Sequence, residues 1–144
     1  MKGVLTLIRQ LSIFAENTKG AMMRITQVLT QSSVNMNTLI TNDSAEYGII
    51  RMLVSDTALA KEKLEAAGYM CRAEEVLAVE ISDDCGSLNS LLETMERGNI
   101  NIDYIYVTYS SLSKNPVAIM HTLDSMEVEE FLMGNGYRMV NQIS

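Results

Sequence analysis

A chain of 144 residues, 47% apolar and 20% charged, builds either one ordinary domain or two very small ones. Its formal charge of −7 comes with no basic stripe, which argues against a DNA or RNA surface. No uninterrupted apolar run approaches the roughly 20 residues that cross a bilayer, so no membrane partner is expected.

The first residues, MKGVLTLIRQLSIF, resemble a signal peptide only superficially, because Arg9 and Gln10 interrupt the apolar stretch. Residues 4–8 read as a short apolar extension. Residues 11–15 alternate as a half-buried strand does, with Leu11, Ile13 and Ala15 on one face. Glu16 to Gly20 is a polar turn, after which the apolar period lengthens from two to about 3.6. Met22, Ile25, Val28 and Leu29 then mark one face of a helix ending near Ser32-Ser33. Val34 to Thr41 reads as a strand, Asn42-Asp43-Ser44 as a turn, and Tyr47 to Val54 as the strand completing a hairpin, with Gly48 marking a bulge or a close neighbour. Asp56 or Thr57 caps a helix from about Ala58 to Ala67, whose inner stripe is Ala60, Leu64 and Ala67. Gly68 ends it, Tyr69 to Ala73 is a fourth strand, and Glu74-Glu75 is a junction.

The same order then begins again. Val76 to Ile81 is a strand, Ser82 to Gly86 a turn, and Ser87 to Arg97 a helix with Leu88, Leu91, Leu92 and Met95 inward, ended by Gly98-Asn99. Residues 100–110 form a long strand, 111–116 a turn closed by Pro116, 117–123 a strand, 125–134 a helix with Val128, Phe131 and Leu132 inward, and 137–140 the last strand. An offset of 66 superposes Gly20 on Gly86, Ile25 on Leu91, Leu29 on Met95 and Asn35 on Asn101; an offset of 68 places Gly68-Tyr69 on Gly136-Tyr137. The fold class is therefore α+β: two β-α-β-β-α-β units, over 1–75 and 76–144, each an antiparallel sheet with both helices on one face. Units of about 70 residues are marginal alone. The two sheets are expected to pair side by side, and their open faces or edges to pair with a second chain as a homodimer.

The turns at 16–20 and 82–86 each place a glycine where a strand meets a helix. Amides at a helix N-terminus favour an anion, and glycine lets a ligand approach the backbone; the carboxylate of a free amino acid is one such anion. The structural alternative is that each glycine only permits a tight turn. The two turns differ in charge: Lys19 sits in the first, Asp83-Asp84 in the second, where carboxylates oppose an incoming anion. Residues 1–75 carry eight basic and eight acidic side chains, residues 76–144 three and ten. Asn37 and Asp103, two residues beyond Asn35 and Asn101, are polar candidates on the second strands, and Tyr104, Tyr106 and Tyr109 offer amphipathic contact area. His121 reads as a packed or partly exposed histidine in an apolar strand. Cys71 and Cys85 form no CxxC pair, and a single histidine cannot complete a Cys/His cluster, so no metal and no cofactor are expected and both thiols read as reduced. The sequence holds no nucleotide-binding fingerprint and no catalytic triad signature, so no enzyme activity is expected.

QLSIFAENTKGAMMRITQVLTQSSVNMNTL, AEYGIIRMLVSD, EKLEAAGYMC and VLAVEISDDCGSLNSLLETMERGNINIDYIY resemble a tandem ACT-domain protein over nearly all of 10–144. The resemblance implies ferredoxin-like units and regulatory binding of a small molecule, typically an amino acid, between paired units. There the loop after one unit's first strand would meet the other's second strand. Carried onto this chain, the loops are Asn17, Thr18, Lys19 and Gly20, and Asp83, Asp84, Cys85 and Gly86; the strand positions are Asn37, Thr38 and Leu39, and Asp103, Tyr104 and Ile105. Lys19 and Cys85 stand where many members have proline, which removes a preset backbone dihedral. The expected protein is a stand-alone cytoplasmic regulator that senses an amino acid at the junction between the units. The ligand carboxylate would lie near Thr18 to Gly20, with Asp103 for its ammonium group. Its partner would be an unidentified regulated protein. The alternative is a structural or protein-interaction adaptor without a ligand site.

Overall fold

The computed structural model describes residues 7–16, 18–41 and 47–143. Residues 4–6 of the expected extension over 4–8, and the turn at Asn42-Asp43-Ser44, lie outside them. The chain forms two compact units, Arg9–Glu74 and the stretch from Glu75 onward, which Leu7 and Ile8 join.

The first unit runs β1 (Ile8–Glu16), α1 (Ala21–Gln31), β2 (Met36–Thr41), β3 (Tyr47–Val54), α2 (Thr57–Ala66) and the opening residues of β4 (Met70–Glu80). Its strand order is β2-β3-β1-β4, with β3 antiparallel to both β1 and β2. Alternation in β1 sends Leu11 and Ile13 into a core with Ile25, Leu29, Met52 and Leu64. Asp56 is the cap of α2, its carboxylate accepting from the Leu59 amide at 3.0 Å. Two expectations are corrected. Gly48 pairs in unbroken register with Ala15, and the bulge falls instead between Met36 and Thr38. Ala67 is exposed, because α2 has already ended and the stripe is carried by Ala60 and Leu64.

The second unit continues through the rest of β4, then α3 (Ser87–Arg97), β5 (Ile102–Tyr109), β6 (Pro116–Thr122), α4 (Ser125–Gly134) and β7 (Arg138–Met139). β4 lies between β6 and β7, and β5 pairs with β6, all antiparallel. Leu77, Val79, Leu91, Met95, Met120 and Leu132 form its core, and Leu7 packs against it. Glu74-Glu75, expected as a junction, sit inside one continuous eleven-residue strand. Leu88 and Leu92 are exposed, and Thr94 is buried in their place, its hydroxyl donating to the Ser90 carbonyl at 3.0 Å. Pro116 opens β6, where a strand's first residue needs no ladder N–H. No helix among the described residues is long and apolar enough to cross a membrane.

The repeat survives in backbone detail. Ser33 and Asn99 end the first helix of each unit in the left-handed region, at φ 57° and 55°. The bulge between Met36 and Thr38 recurs between Ile102 and Tyr104, 66 residues on. These are two ferredoxin-like units with the same irregularities.

Candidate functional site

Both β-to-α turns are built alike. Gly20 and Gly86 adopt φ 82° and 88°, a conformation that costs other residues energy, and so turn the chain directly into α1 and α3. The Ala21 amide donates to the Thr18 carbonyl, and the Ser87 amide to the Asp84 carbonyl, both at 3.2 Å. Arg24 and Ser90 close the next turn onto the Gly20 and Gly86 carbonyls at 3.0 and 2.9 Å. With glycine at the cap, neither helix start has a side-chain cap.

The chemistry around the two turns is opposite. In the first, Thr18 and Lys19 are exposed, and the Arg24 guanidinium folds back to donate to the Lys19 carbonyl at 3.4 Å. Asn17 lies outside the described residues. In the second, Asp83, Asp84 and Cys85 are exposed, and Ser87 donates to the Ser82 carbonyl at 2.5 Å. Two carboxylates there meet the positive end of α3, whereas two cations flank the start of α1.

A cleft of about 550 Å³ opens beside the first turn. Phe14, Ala15 and Tyr69 give it apolar walls, while Glu16, Thr18 and Arg24 give it an anion, a hydroxyl and a cation. Gly68, at φ 96°, closes the far side by ending α2 there. Burial in this unit pushes the Cys71 thiol from 9.0 up to about 11, with the Glu65 carboxylate adding to the effect, so it stays a neutral packing group.

The strand candidates occupy the bulges, where an extra residue re-aims a side chain. Asn37 accepts from Asn35 Nδ2 at 2.9 Å, and Thr38 and Leu39 lie opposite Leu53 and Met52. In the second unit Asp103 Oδ2 lies 2.8 Å from His121 Nδ1. The His121 ring stacks on Tyr104, centroids 5.2 Å apart and 7° from parallel. Ile105 packs against the second core. Within the first unit, Thr18, Lys19 and Gly20 lie with Arg24 and Glu16, and Asn37 with Asn35; within the second, Asp103 and Tyr104 lie with His121, and Asp83, Asp84, Cys85 and Gly86 form the acidic turn. Sequence reasoning missed Arg24; it read His121 as a packed or partly exposed histidine, which it is, but did not find its contact with Asp103. Arg24 follows Gly20 by one helical turn, which is the available signal; His121 meets Asp103 only through a bulge that no local pattern announces.

A family model described as an ACT domain pair matches residues 6–143. Among solved structures, a Bacteroides thetaiotaomicron protein superposes with a TM-score of 0.85 at 23% identity, covering 96% of each chain. The regulatory subunit of aspartate kinase from Thermus flavus gives 0.64 at 16% identity, over 87% of this chain and 88% of that one. The ligand-free regulatory subunit from Thermus thermophilus gives 0.60 at 13%, over 83% and 85%. No curated protein matches the sequence.

Proposed function

From the premise that this chain belongs to the ACT-domain family, as a pair of ACT units, we propose that it is a regulatory protein whose first unit binds a free amino acid and performs no chemistry on it. The observation that carries this reading is the cleft beside Gly20, where opposite charges flank an apolar wall. The ligand carboxylate lies against the amides at the start of α1 and the Arg24 guanidinium, whose planar fork matches a carboxylate. Glu16 receives the ammonium group, and Phe14 and Tyr69 cover an apolar side chain. The second turn is the poorer receptor, since Asp83 and Asp84 repel the same carboxylate. The regulatory subunits of aspartate kinase share this fold, which fits a binding rather than a catalytic role. Regulation then requires that the occupied and empty forms differ in affinity for a second protein.

Calorimetry against the twenty amino acids tests the reading. At least one with an apolar side chain should bind with a Kd below about 1 mM, and Arg24→Gln should weaken it by about tenfold or more, close to 1.4 kcal/mol. Asp84→Asn should leave that affinity unchanged. If no amino acid binds, or if the Arg24 variant binds as the parent does, the first turn is a structural corner and the adaptor reading replaces this one.

A further inference from the structure

Some walls of the cleft beside Gly20 are ones that the fold demands, and others are not. The internal repeat separates the two kinds, because the second unit forms the same corner from different side chains. Gly68 and Tyr69 recur as Gly136 and Tyr137. The glycines lie at φ 96° and 88°, and the Tyr69 amide donates to the Leu64 carbonyl at 2.9 Å as that of Tyr137 does to Leu132 at 3.0 Å. Each tyrosine packs against the core of its own unit. This pair ends a helix and needs no ligand to account for it.

The remaining walls do not recur. Phe14, half-buried near the end of β1, stands where the second unit has Glu80, which accepts from the Ser113 hydroxyl at 2.9 Å. Met70 stands where the second unit has Arg138, and Glu80 and Arg138 lie opposite each other across β4 and β7. Ala15, which lines the cleft, stands where Ile81 is buried. A pair of opposite charges and a larger core residue therefore serve this corner as well as Phe14, Met70 and Ala15 do. Packing does not explain Met70 either, since it is 69% exposed at the rim of the cleft. The three differences act together: the smaller Ala15 makes room, and Phe14 and Met70 turn polar positions into apolar ones. Rings such as those of Phe14 and Tyr69 favour a third ring offset or edge-on, and a thioether contacts an aromatic ring favourably.

We propose that the amino acid held in this cleft is an aromatic one, of the size of phenylalanine or tyrosine, and that Phe14 and Met70 determine the specificity. This rests on the amino-acid reading of the cleft and adds the class of side chain. Arg24 and Glu16 face the carboxylate and ammonium groups that every amino acid carries, so selection falls to the apolar walls. A small side chain leaves a cleft of about 550 Å³ largely unfilled and forfeits its contacts. An acidic one meets the Glu16 carboxylate. A branched aliphatic one fills the space without the ring quadrupole that Phe14 and Tyr69 recognise.

Calorimetry with phenylalanine, cyclohexylalanine, leucine and alanine tests this on the parent protein. Cyclohexylalanine keeps the bulk of the ring and removes its π face. Phenylalanine should bind about tenfold more tightly than leucine and about threefold more tightly than cyclohexylalanine, with alanine weakest. Phe14→Leu and Met70→Ser should each narrow the ratio of phenylalanine to leucine affinity by about threefold, and the exposure of Met70 makes the second change harmless to folding. If none of the four binds, the amino-acid reading fails and this proposal falls with it. If leucine or cyclohexylalanine binds within about twofold of phenylalanine, or if neither variant narrows the ratio, the amino-acid reading stands and the aromatic assignment is overturned.

Discussion

Gly20 and Gly86 share a backbone conformation but not surroundings. A Cβ on Gly86 meets open space, whereas one on Gly20 lies 2.9 Å from Arg24 Nη1. Gly86→Ala should therefore cost only the left-handed backbone, about 1 kcal/mol in a urea titration. Gly20→Ala should cost a similar amount and also displace the guanidinium, so its amino-acid affinity should fall where that of Gly86→Ala does not. Cys71 gives a prediction in pH. Its thiol ionises near 9.0 when unfolded and near 11 when folded, so from 9 upward the unfolded state sheds its proton first. Stability attributable to this group is full below pH 9 and falls through the window to 11, and Cys71→Ala should flatten that decline in denaturation midpoints measured across the range. For the same reason Cys85, exposed in its turn, should alkylate before Cys71 at pH 8. The glycines of the site were legible in the sequence because positive φ is written in the residue type. Arg24 was not, since its partner is a main-chain carbonyl that any residue could offer.

At the scale of elements, helices read well wherever the apolar period was long. α3 and α4 begin and end where the sequence places them. What misread was the width of the buried stripe: a helix lying on one sheet buries Leu91 and Met95 and leaves Leu88 and Leu92 at its margins. The capping carboxylate of α2 was legible, and Asp56→Ala should lower the denaturation free energy by about 1 kcal/mol. The equivalent Asp124→Ala should cost much less, because that side chain caps nothing. Bulges were not legible, since register belongs to a pair of strands and not to either one. The union of 70–80 into one strand was hidden by Glu74-Glu75, whose charges suit a strand with an open face as well as they suit a loop.

Across the whole molecule the charge is as unequal as the fold is repeated. The half up to residue 75 is neutral, and the half beyond it carries the full −7. Self-repulsion should therefore burden one unit alone. Raising sodium chloride from about 0.02 M to about 0.5 M should slow amide exchange in α3 and α4 while leaving α1 and α2 nearly unchanged. Equal salt responses in the two units would show that the charges are too far apart to interact.

The paired bulges carry a historical meaning. An extra residue between Met36 and Thr38, and another between Ile102 and Tyr104, are most simply one inherited irregularity. Asn37 and Asp103 show how little the kink dictates chemistry: one unit carries a neutral amide there and the other a carboxylate.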